Sequence, residues 1–517
     1  MTVRSRAPGL VLAGIGALAG ALALAAARAG LEVGPDGAEY LGVAQRLADG
    51  HGFTRAFGLP GRRLDHYGPL LPAVLAPGEL LGDARAWGRV LHVVLFAADT
   101  ALVGVVTRRL ARGVLAPAVV AAVLFALTSP LLVVYASVLS EPVYLTLELG
   151  FLLVLAGHAE RPRGRTLVAA GGLAGLAVLA RFVGLAMVGA GVVVLAWCRT
   201  RATRDRARDR ARDVLVFVAV AVVPFAWWTL SARLGGASPT DREAAWHPVT
   251  AEQAGEAVRT LGGWLVGSSL ADDTAQVLTS LLLAAAVVLG TTVAGLHARR
   301  SAGPPRTFDP DLLATLLVTA ASHVFVVLAT VSVLDRTTPL SARILAPVYV
   351  CLLPVGAVAL VALARRRGGA RAVAVAVLVA LVGIRGADAA RTVERHDASR
   401  LRWAAAVWDA SPIVEAARAL PDGTPVWSNA PDLLWYRAGI GAYRVTKVRV
   451  TGYRGGGLLP GSVAALDGLH DTVGRERGVV VIVTGLSFRH ELASVAELEA
   501  HGFERGEAYA DGVVLRP

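Results

Sequence analysis

Residues 34–53, "GPDGAEYLGVAQRLADGHGF", follow directly on an apolar segment, yet they carry acidic side chains and a helical pattern. After Asp36, the apolar residues Leu41, Ala44 and Leu47 recur at the spacing of one helix face. Asp is a good N-cap residue, so Asp36 suits the start of a helix. Two interpretations follow: a capped amphipathic helix that rests on a membrane surface, or a carboxylate held at the membrane–water boundary for chemistry.

The composition is that of an integral membrane protein. Of 517 residues, 55% are hydrophobic and only 17% are charged, and the mean hydropathy is +0.57. A soluble protein of this size needs more polar surface. The net charge of +12 does not indicate nucleic-acid binding, because no basic patch interleaves with aromatic residues. We therefore expect membrane lipids, and no nucleic acid, as partners.

Eleven segments are long and apolar enough to cross about 30 Å of hydrocarbon. They are residues 8–28, 86–107, 113–129, 140–157, 166–180, 182–198, 213–232, 276–297, 311–332, 343–363 and 370–385. When these spans are numbered in order, every arginine cluster falls on one side. The clusters are Arg4/Arg6, Arg108/Arg109/Arg112, Arg161/Arg163/Arg165, Arg199 to Arg212, Arg299/Arg300/Arg306, and Arg365–Arg367 with Arg371. By the positive-inside rule this side is the cytoplasm, so the N-terminus lies inside and the residues after about 386 lie outside.

Two of these assignments have alternatives. Residues 166–198 also fit one long tilted helix, but that would place the arginines of residues 199–212 outside, so we expect two helices. The N-terminus imitates a secretory signal, but its apolar core exceeds the usual length of about 7–15 residues, so we expect an uncleaved first helix. Cys198 and Cys351 lie far apart in this topology and imply neither a disulfide nor a metal-thiolate site.

We predict an α-helical polytopic membrane protein, with about eleven transmembrane helices and a small C-terminal α/β domain. The membrane domain covers residues 1–385, with outer loops at 29–85 and 233–275. Residues 386–517 lose the long apolar runs and form the extracytoplasmic α/β domain, with strand candidates "TPVWSN", "RGVVVIVTG" and "GVVLRP". No internal repeat is visible, which lowers the expectation of a transporter built from paired halves.

Ionisable residues from distant segments converge on the predicted outer face. "SVLSEP" places Glu141 at the outer end of the fourth span, and "LARFVG" places Arg181 at the turn between the fifth and sixth. "LDRTTPLSARILAP" places Asp335, Arg336 and Arg343 between the ninth and tenth. Ionisable residues at such depth are functional candidates, although a lone arginine also snorkels to lipid headgroups.

Residues near Asp36 add to this site. Glu39 and Tyr40 lie three and four positions after Asp36 and therefore share its helix face. His66, just before "GPLLP", is a further candidate. We expect partial burial to raise the pKa of Asp36 modestly, which would tune it as a base. The expected catalytic residues are Asp36, Glu39 and Glu141, and the expected substrate-binding residues are Tyr40, His66, Arg181, Asp335 and Arg343.

Several stretches resemble the polytopic glycosyltransferases of the GT-C fold. That family uses polyprenyl-phosphate-linked sugars and includes the protein mannosyltransferases and the aminoarabinose transferases. The stretches are "PDGAEYLGVAQRLADGHGF" with "YGPLLPAVLAP", then "SEPVYL", "LARFVGL", "RTTPLSARILAPV" and "VWSNAPDLLWYRAG". The resemblance covers most of the chain, and its best motif is the acid in the first outer loop.

The resemblance implies roles for particular residues. In that family an acid early in the first outer loop acts as the catalytic base or orients the acceptor, and Asp36 matches this position. Many members carry two adjacent acids, whereas Gly37 follows Asp36 here and leaves Glu39 and Glu141 as stand-ins. Arg343, in "ARILAP", is expected near the lipid phosphate. Some members bind a divalent metal, although these residues show no metal-ligand spacing of their own.

The expected function is therefore transfer of a sugar from a polyprenyl-phosphate-linked donor to a glycan, lipid or protein acceptor, on the outer face of the cytoplasmic membrane. The reaction needs a base for the acceptor hydroxyl and cations for the leaving phosphate, which carboxylates and arginines on one face supply. A single displacement that inverts the anomeric centre needs no nucleophilic triad. The alternatives are a transporter or flippase of lipid-linked sugars without transferase activity, and a sensory membrane protein with a ligand-binding outer domain. The strong preference for Arg over Lys is compatible with a bacterial source.

Overall fold

The structure is a computed structural model. It describes residues 7–64, 66–197, 207–234, 246–267, 278, 308–335, 337–396, 401–449, 458–486, 489 and 491–517. The predicted span at 276–297 lies outside the described residues except for Leu278, and so do Arg336 and Cys198.

The described part of the chain is predominantly helical. Its helices are α1 (Ala7–Ala26), α2 (Pro35–Ala48), α3 (Leu70–Leu80), α4 (Ala84–Leu110), α5 (Leu115–Ala126), α6 (Ser129–Tyr135), α7 (Glu141–Glu160), α8 (Gly164–Ala180), α9 (Leu185–Trp197), α10 (Ala207–Leu234), α11 (Ala251–Val266), α12 (Pro310–Ala329), α13 (Ala342–Ala364), α14 (Gly369–Arg395), α15 (Pro412–Arg418), α16 (Pro431–Ala438), α17 (Ser462–Arg475) and α18 (Val495–Ala500). The strands are β1 (Val426–Ser428), β2 (Tyr443–Arg444), β3 (Val479–Val483), β4 (Glu504–Tyr509) and β5 (Gly512–Arg516).

Seven described helices are long and apolar enough to cross a membrane: α1, α4, α7, α10, α12, α13 and α14. The consecutive helices α5 and α6 make an eighth if they count as one span, bent by 64°. The helix α8, at 17 residues, and α9, at 13, are apolar but shorter than a full span requires. The fold is thus the predicted polytopic bundle, and the described residues contain seven or eight full-length spans where eleven segments were expected.

Residues 166–197 form two helices rather than one. The helix α8 ends at Ala180, a single 3₁₀ turn follows at Phe182–Gly184, and α9 begins at Leu185. Both helices reach the same part of α10: a Cβ on Gly171 of α8 would lie 3.0 Å from the Phe217 carbonyl oxygen, and a Cβ on Gly191 of α9 would overlap the Phe217 ring. The chain therefore folds back on itself at Arg181.

The C-terminal module, residues 401–517, is built around a five-stranded mixed sheet with the order β2-β1-β3-β5-β4. The strand β1 runs parallel to β2 and β3, while β5 is antiparallel to β3 and β4. The buried run "VVVIV" of β3 forms the centre of the sheet, as expected for a strand covered on both faces. The predicted domain boundary at residue 385 falls inside α14, which continues to Arg395.

The C-terminal module packs on the connection between α1 and α4. The Phe57 ring of that connection lies 5.6 Å from the Trp435 ring of α16. Gly58 extends the free edge of β2: its N–H donates to Ala442 O at 2.7 Å, and its carbonyl accepts from Arg444 N at 3.0 Å. Gly58 has φ +75°, a conformation that favours glycine at this tight contact. The α1–α4 connection is therefore held between the helical bundle and the sheet.

Candidate active site

Four of the expected site residues meet at one end of the helical bundle. Arg343 NH2 donates to Asp36 Oδ2 at 2.6 Å. Arg343 Nε donates to Glu141 Oε1, and that same oxygen accepts from Arg181 NH1. Glu141 is buried, whereas the side chains of Asp36 and Arg343 keep 26% and 32% exposure. One guanidinium thus bridges two carboxylates at a place that a ligand can reach.

Helix starts deliver three of these side chains. Asp36 lies in the first turn of α2, Glu141 is the first residue of α7, and Arg343 is the second residue of α13. Arg181 follows the end of α8 in an extended conformation, with φ −154°. The first-turn N–H groups of a helix and its dipole favour negative charge, so three helix N-termini make this end of the bundle suited to anions.

Asp36 is not the cap of its helix. The N-cap of α2 is Gly34, no side chain caps the helix, and Pro35 occupies the first helical position. Proline fits there because its fixed φ is helical and its missing N–H would be unpaired in any case. The carboxylate of Asp36 is therefore available for contacts outside its own helix.

Gly37, which stands beside Asp36 where a second acid was expected, lies in a tightly packed place. A Cβ at this position would lie 3.0 Å from the carbonyl oxygen of Val138 and 3.1 Å from its Cβ. The start of α2 thus packs tightly against the segment that leads into α7, and a side chain at position 37 would require that segment to shift by a few tenths of an ångström. Glu141, at the start of α7, supplies the second carboxylate from a different helix.

Tyrosine side chains surround the carboxylate of Asp36. Tyr67 OH donates to Asp36 Oδ1 at 2.9 Å. Tyr40 packs edge-on against Tyr67 at 5.3 Å and donates to Ser140 Oγ, which also accepts from Arg181 NH1 at 3.3 Å. The His66 ring contacts Tyr67 at 4.9 Å. The structure therefore brings Tyr40 and His66 to the site, through ring packing rather than through Asp36 itself.

The pKa of Asp36 shifts in the direction opposite to our expectation. Burial alone would raise it, but the Arg343 guanidinium and the hydrogen bonds from Arg343 and Tyr67 outweigh burial, so the pKa of Asp36 lies below its ordinary value. Asp36 is an ionised carboxylate at neutral pH in this state.

Glu39 does not join this site. Its carboxylate forms a bidentate pair with Arg55, with Oε1 2.8 Å from Nε and Oε2 3.1 Å from NH2. Both residues are buried, and burial raises the pKa of Glu39 despite the arginine. The structure thus pairs the Glu39 carboxylate with Arg55 and does not bring it to Arg343, so a catalytic role of Glu39 is not part of the site described here.

Asp335 also lies in a different arrangement from the expected one. It accepts hydrogen bonds from the amide and the hydroxyl of Thr337, at 2.9 and 2.6 Å, in the turn before α13. An aspartate in such a turn stabilises the local backbone. These contacts of Asp335 stabilise the segment that leads into α13.

The residues at the site do not fit a divalent metal. Among the described residues no group of three or more His, Cys, Asp or Glu side chains could hold one. The carboxylates of Asp36 and Glu141 instead face the guanidinium groups of Arg343 and Arg181.

The sequence indicates two further polar residues of the site, Tyr67 and Ser140, only weakly. Their partners are distant, since Tyr67 reaches Asp36 across 31 positions and Ser140 binds Tyr40 across 100. The only local signals are that Tyr67 follows His66 and that Ser140 precedes Glu141.

Comparison with solved structures identifies the fold. The crystal structure of ArnT from Cupriavidus metallidurans bound to undecaprenyl phosphate matches with a TM-score of 0.58 and 15% identity, over 97% of each chain. The apo form of ArnT matches equally well. The arabinofuranosyltransferase AftD from Mycobacteria matches with a TM-score of 0.57 and 16% identity, over 99% of this chain and 40% of AftD. No protein-family model matches the chain, and no curated protein is similar to it in sequence. The chain has the GT-C fold, as predicted.

Proposed function

We propose that this protein is a membrane glycosyltransferase that moves a sugar from a polyprenyl-phosphate-linked donor to an acceptor on the outer face of the cytoplasmic membrane. The observation that carries the proposal is the bridge from Arg343 to the carboxylates of Asp36 and Glu141, at the N-termini of three helices. It joins a base to a cation at the end of the bundle where a lipid phosphate would arrive. The fold supports the same conclusion, since ArnT, which shares it, binds undecaprenyl phosphate.

In the proposed reaction, Asp36 takes the proton of the acceptor hydroxyl. The acceptor oxygen forms a bond to the anomeric carbon, and the bond from that carbon to the phosphate oxygen breaks. The leaving polyprenyl phosphate gains one negative charge, which Arg343 and Arg181 stabilise, and Asp36 later releases its proton to water. A single displacement of this kind inverts the anomeric centre.

Donor binding would also activate the base. While Arg343 is paired with Asp36, the pKa of Asp36 is low and the carboxylate is a weak base. A phosphate that draws Arg343 toward itself removes the charge that opposes burial, so the pKa of Asp36 rises. Asp36 thus becomes a stronger base only when a donor is present.

Glu141 would position Arg343 and Arg181 rather than react. Glu141 is buried and accepts from both guanidinium groups, so it sets the separation of the two cations. Two arginines held by one carboxylate form a cradle for a phosphate, which a guanidinium can bind through two parallel hydrogen bonds.

We assign the helices through α14, which ends at Arg395, to the catalytic membrane domain and residues 401–517 to an extracytoplasmic α/β domain. In this topology the site and the C-terminal module lie on the same side of the membrane. The module would cover the site and contact the acceptor, because it packs on the α1–α4 connection that carries Asp36 and Tyr67.

The proposed function is tested by measuring sugar transfer directly. Membranes that contain the protein are given a panel of radiolabelled polyprenyl-phosphate sugars, and both free polyprenyl phosphate and the labelled acceptor are measured. Asp36→Asn should lower turnover about a hundredfold or more, the usual scale for removal of a general base. Asp49→Asn, at the exposed C-terminal end of the same helix, is the matched control and should remain active. Transport of the labelled lipid without release of polyprenyl phosphate would contradict the proposal and favour a flippase.

A further inference from the structure

A second charged cluster lies one helical turn from Asp36, where the α1–α4 connection meets the C-terminal module. Its acids are both paired: Glu39 with Arg55, and Asp432 with Arg489, whose NH2 lies 2.6 Å from Asp432 Oδ2. Asp432 Oδ2 also accepts from Trp403 Nε1 at 3.1 Å. Both pairs are largely buried, and they lie close enough for the charge of Asp432 to act on Glu39.

Arg444, at the end of β2, adds a third arginine to this cluster. A Cβ built on Gly58 would lie 3.5 Å from Arg55 NH2 and 3.8 Å from Arg444 NH2, so both guanidiniums approach one point. The Arg444 side chain has no hydrogen-bond or ion-pair partner among the residues that the structure describes, and its Nε is buried. Counted over the residues that the structure describes, the cluster therefore carries three positive charges against two negative ones.

A partly buried cation without a partner is costly to the fold. Burial and the charges of Arg489 and Arg55 lower the pKa of Arg444, in agreement with a site of surplus positive charge. An arginine still stays protonated at neutral pH. Such a group is stabilised by an anion that offers oxygen acceptors.

We propose that Arg444, with Arg55 and Arg489 behind it, binds an anionic group of the acceptor, a phosphate or a carboxylate, while the acceptor hydroxyl meets Asp36. Both points lie along α2: Glu39, which holds Arg55, is three residues after Asp36, a rise of about 4.5 Å. The identity of the bound group as part of an acceptor rests on the proposed function, whereas the binding itself does not.

The experiment measures inorganic phosphate binding to the full-length protein in detergent, through the rise in unfolding temperature as phosphate is added. A saturating polyprenyl phosphate is present throughout, so that the Arg343 site is filled. Arg444→Met should weaken the apparent affinity for phosphate about tenfold or more, the usual effect of losing a charge-assisted hydrogen bond. Arg505→Gln, on the opposite edge strand β4 and 56% exposed, is the control and should bind phosphate as the native protein does.

A structural role for Arg444 predicts a different result. If Arg444 only held the fold together, Arg444→Met would lower the unfolding temperature without phosphate and leave the phosphate-dependent rise unchanged, which would overturn the proposal. Arg444→Lys, which keeps the charge, should retain part of the rise.

Nanodiscs separate the two sources of a phosphate. Retained phosphate binding in discs that contain phosphatidylglycerol supports an acceptor group, whereas competition by that lipid, absent in phosphatidylcholine discs, assigns the site to a headgroup and overturns the acceptor assignment. If Asp36→Asn kept native transfer, or if the native protein released no polyprenyl phosphate, the proposed function would fail while the phosphate result stood, so the two proposals can fail separately.

Discussion

Asp36 and Arg343 are 307 positions apart in the sequence, and their side chains form an ion pair at 2.6 Å. The pair joins the first connection of the chain to the start of α13. Because Arg343 also binds Glu141, the same guanidinium ties together three separate helix starts. A contact between residues so far apart in the sequence holds the starts of α2, α7 and α13 together. It also leaves the Arg343 guanidinium between the carboxylates of Asp36 and Glu141 when no ligand is bound.

Arg343→Lys should raise the KM for the lipid-linked donor about tenfold or more and leave the fold intact. A lysine keeps the charge but loses the planar fork that binds a phosphate or bridges two carboxylates. Steady-state kinetics against donor concentration give the KM, and the unfolding temperature reports the fold. Arg365→Lys, at the exposed far end of the same helix, is the control. An unchanged KM in Arg343→Lys would exclude Arg343 from donor binding.

Glu141→Gln should mainly lower activity, whereas Glu39→Gln should mainly lower the stability of the fold. Glu141→Gln loosens both Arg181 and Arg343 and should lower kcat while the protein still folds. Glu39→Gln leaves Arg55 buried without its counter-charge, which costs on the order of 3 kcal/mol or more of folding free energy. Unfolding temperature and kcat per folded molecule are measured for both. Loss of kcat in Glu39→Gln at native stability would restore a catalytic role to Glu39.

The sequence predicts the helices and much of the site because both leave local signals. Apolar runs mark the helices, and ionisable residues at the ends of those runs include Asp36, Glu141, Arg181 and Arg343, which the structure brings together. A hydrophobic run is a property of consecutive residues, and a charge at its end is conspicuous against an apolar background.

The partners of each charge could not be predicted. Asp36 and Glu39 are three positions apart and share a helix face, yet one contacts Arg343 and the other Arg55. That division depends on how the chain folds across long separations. The direction of the Asp36 pKa shift has the same origin, since burial is visible from the sequence and the nearby guanidinium is not.

Tyr67→Phe should move the acid limb of the pH profile of kcat/KM to higher pH. The Tyr67 hydroxyl donates to the carboxylate of Asp36 and helps to lower its pKa. Without that bond, a larger share of Asp36 is protonated at a given pH, so activity falls earlier on acidification. Tyr40→Phe is the control, because the Tyr40 hydroxyl donates to Ser140. Equal shifts in both variants would count against a direct role for the Tyr67 hydrogen bond.

Reporter fusions should place residue 250 and the residues after 400 outside the cytoplasm. The site contacts favour this topology. Asp36, Glu141 and Arg181 meet at one end of the bundle, so the chain crosses the membrane an even number of times between any two of them. This requires that α5–α6 together make one crossing, although the pair is bent, and that α8 makes another, although it is short. Fusions to periplasmic and cytoplasmic reporters measure the side, and a cytoplasmic signal after residue 400 would overturn the topology.

Ionised Asp36 should stabilise the fold when Arg343 is present and destabilise it when Arg343 is replaced. Burial would raise the pKa of Asp36, but Arg343 and Tyr67 outweigh it, so the pKa is lower in the folded state than in the unfolded one. A lowered pKa contributes stability that is full above the unfolded-state pKa of about 3.9 and is lost as the pH falls through the folded-state value.

The native protein should therefore exceed Asp36→Asn in unfolding temperature at pH 7, and this difference should shrink below about pH 4.

Arg343→Gln removes the main charge that opposes burial, so the pKa of Asp36 should then rise above its unfolded value. In that background the ionised carboxylate destabilises the fold at pH 7, and adding Asp36→Asn should raise the unfolding temperature instead of lowering it. The unfolding temperatures of the native protein, Asp36→Asn, Arg343→Gln and the double variant are measured from pH 7 to pH 3 in one detergent. They show whether the effect of Asp36→Asn changes sign when Arg343 is replaced. If Asp36→Asn lowered the unfolding temperature both with and without Arg343, Arg343 would not set the pKa of Asp36. Activation of Asp36 as a base by donor binding would then lose its physical basis.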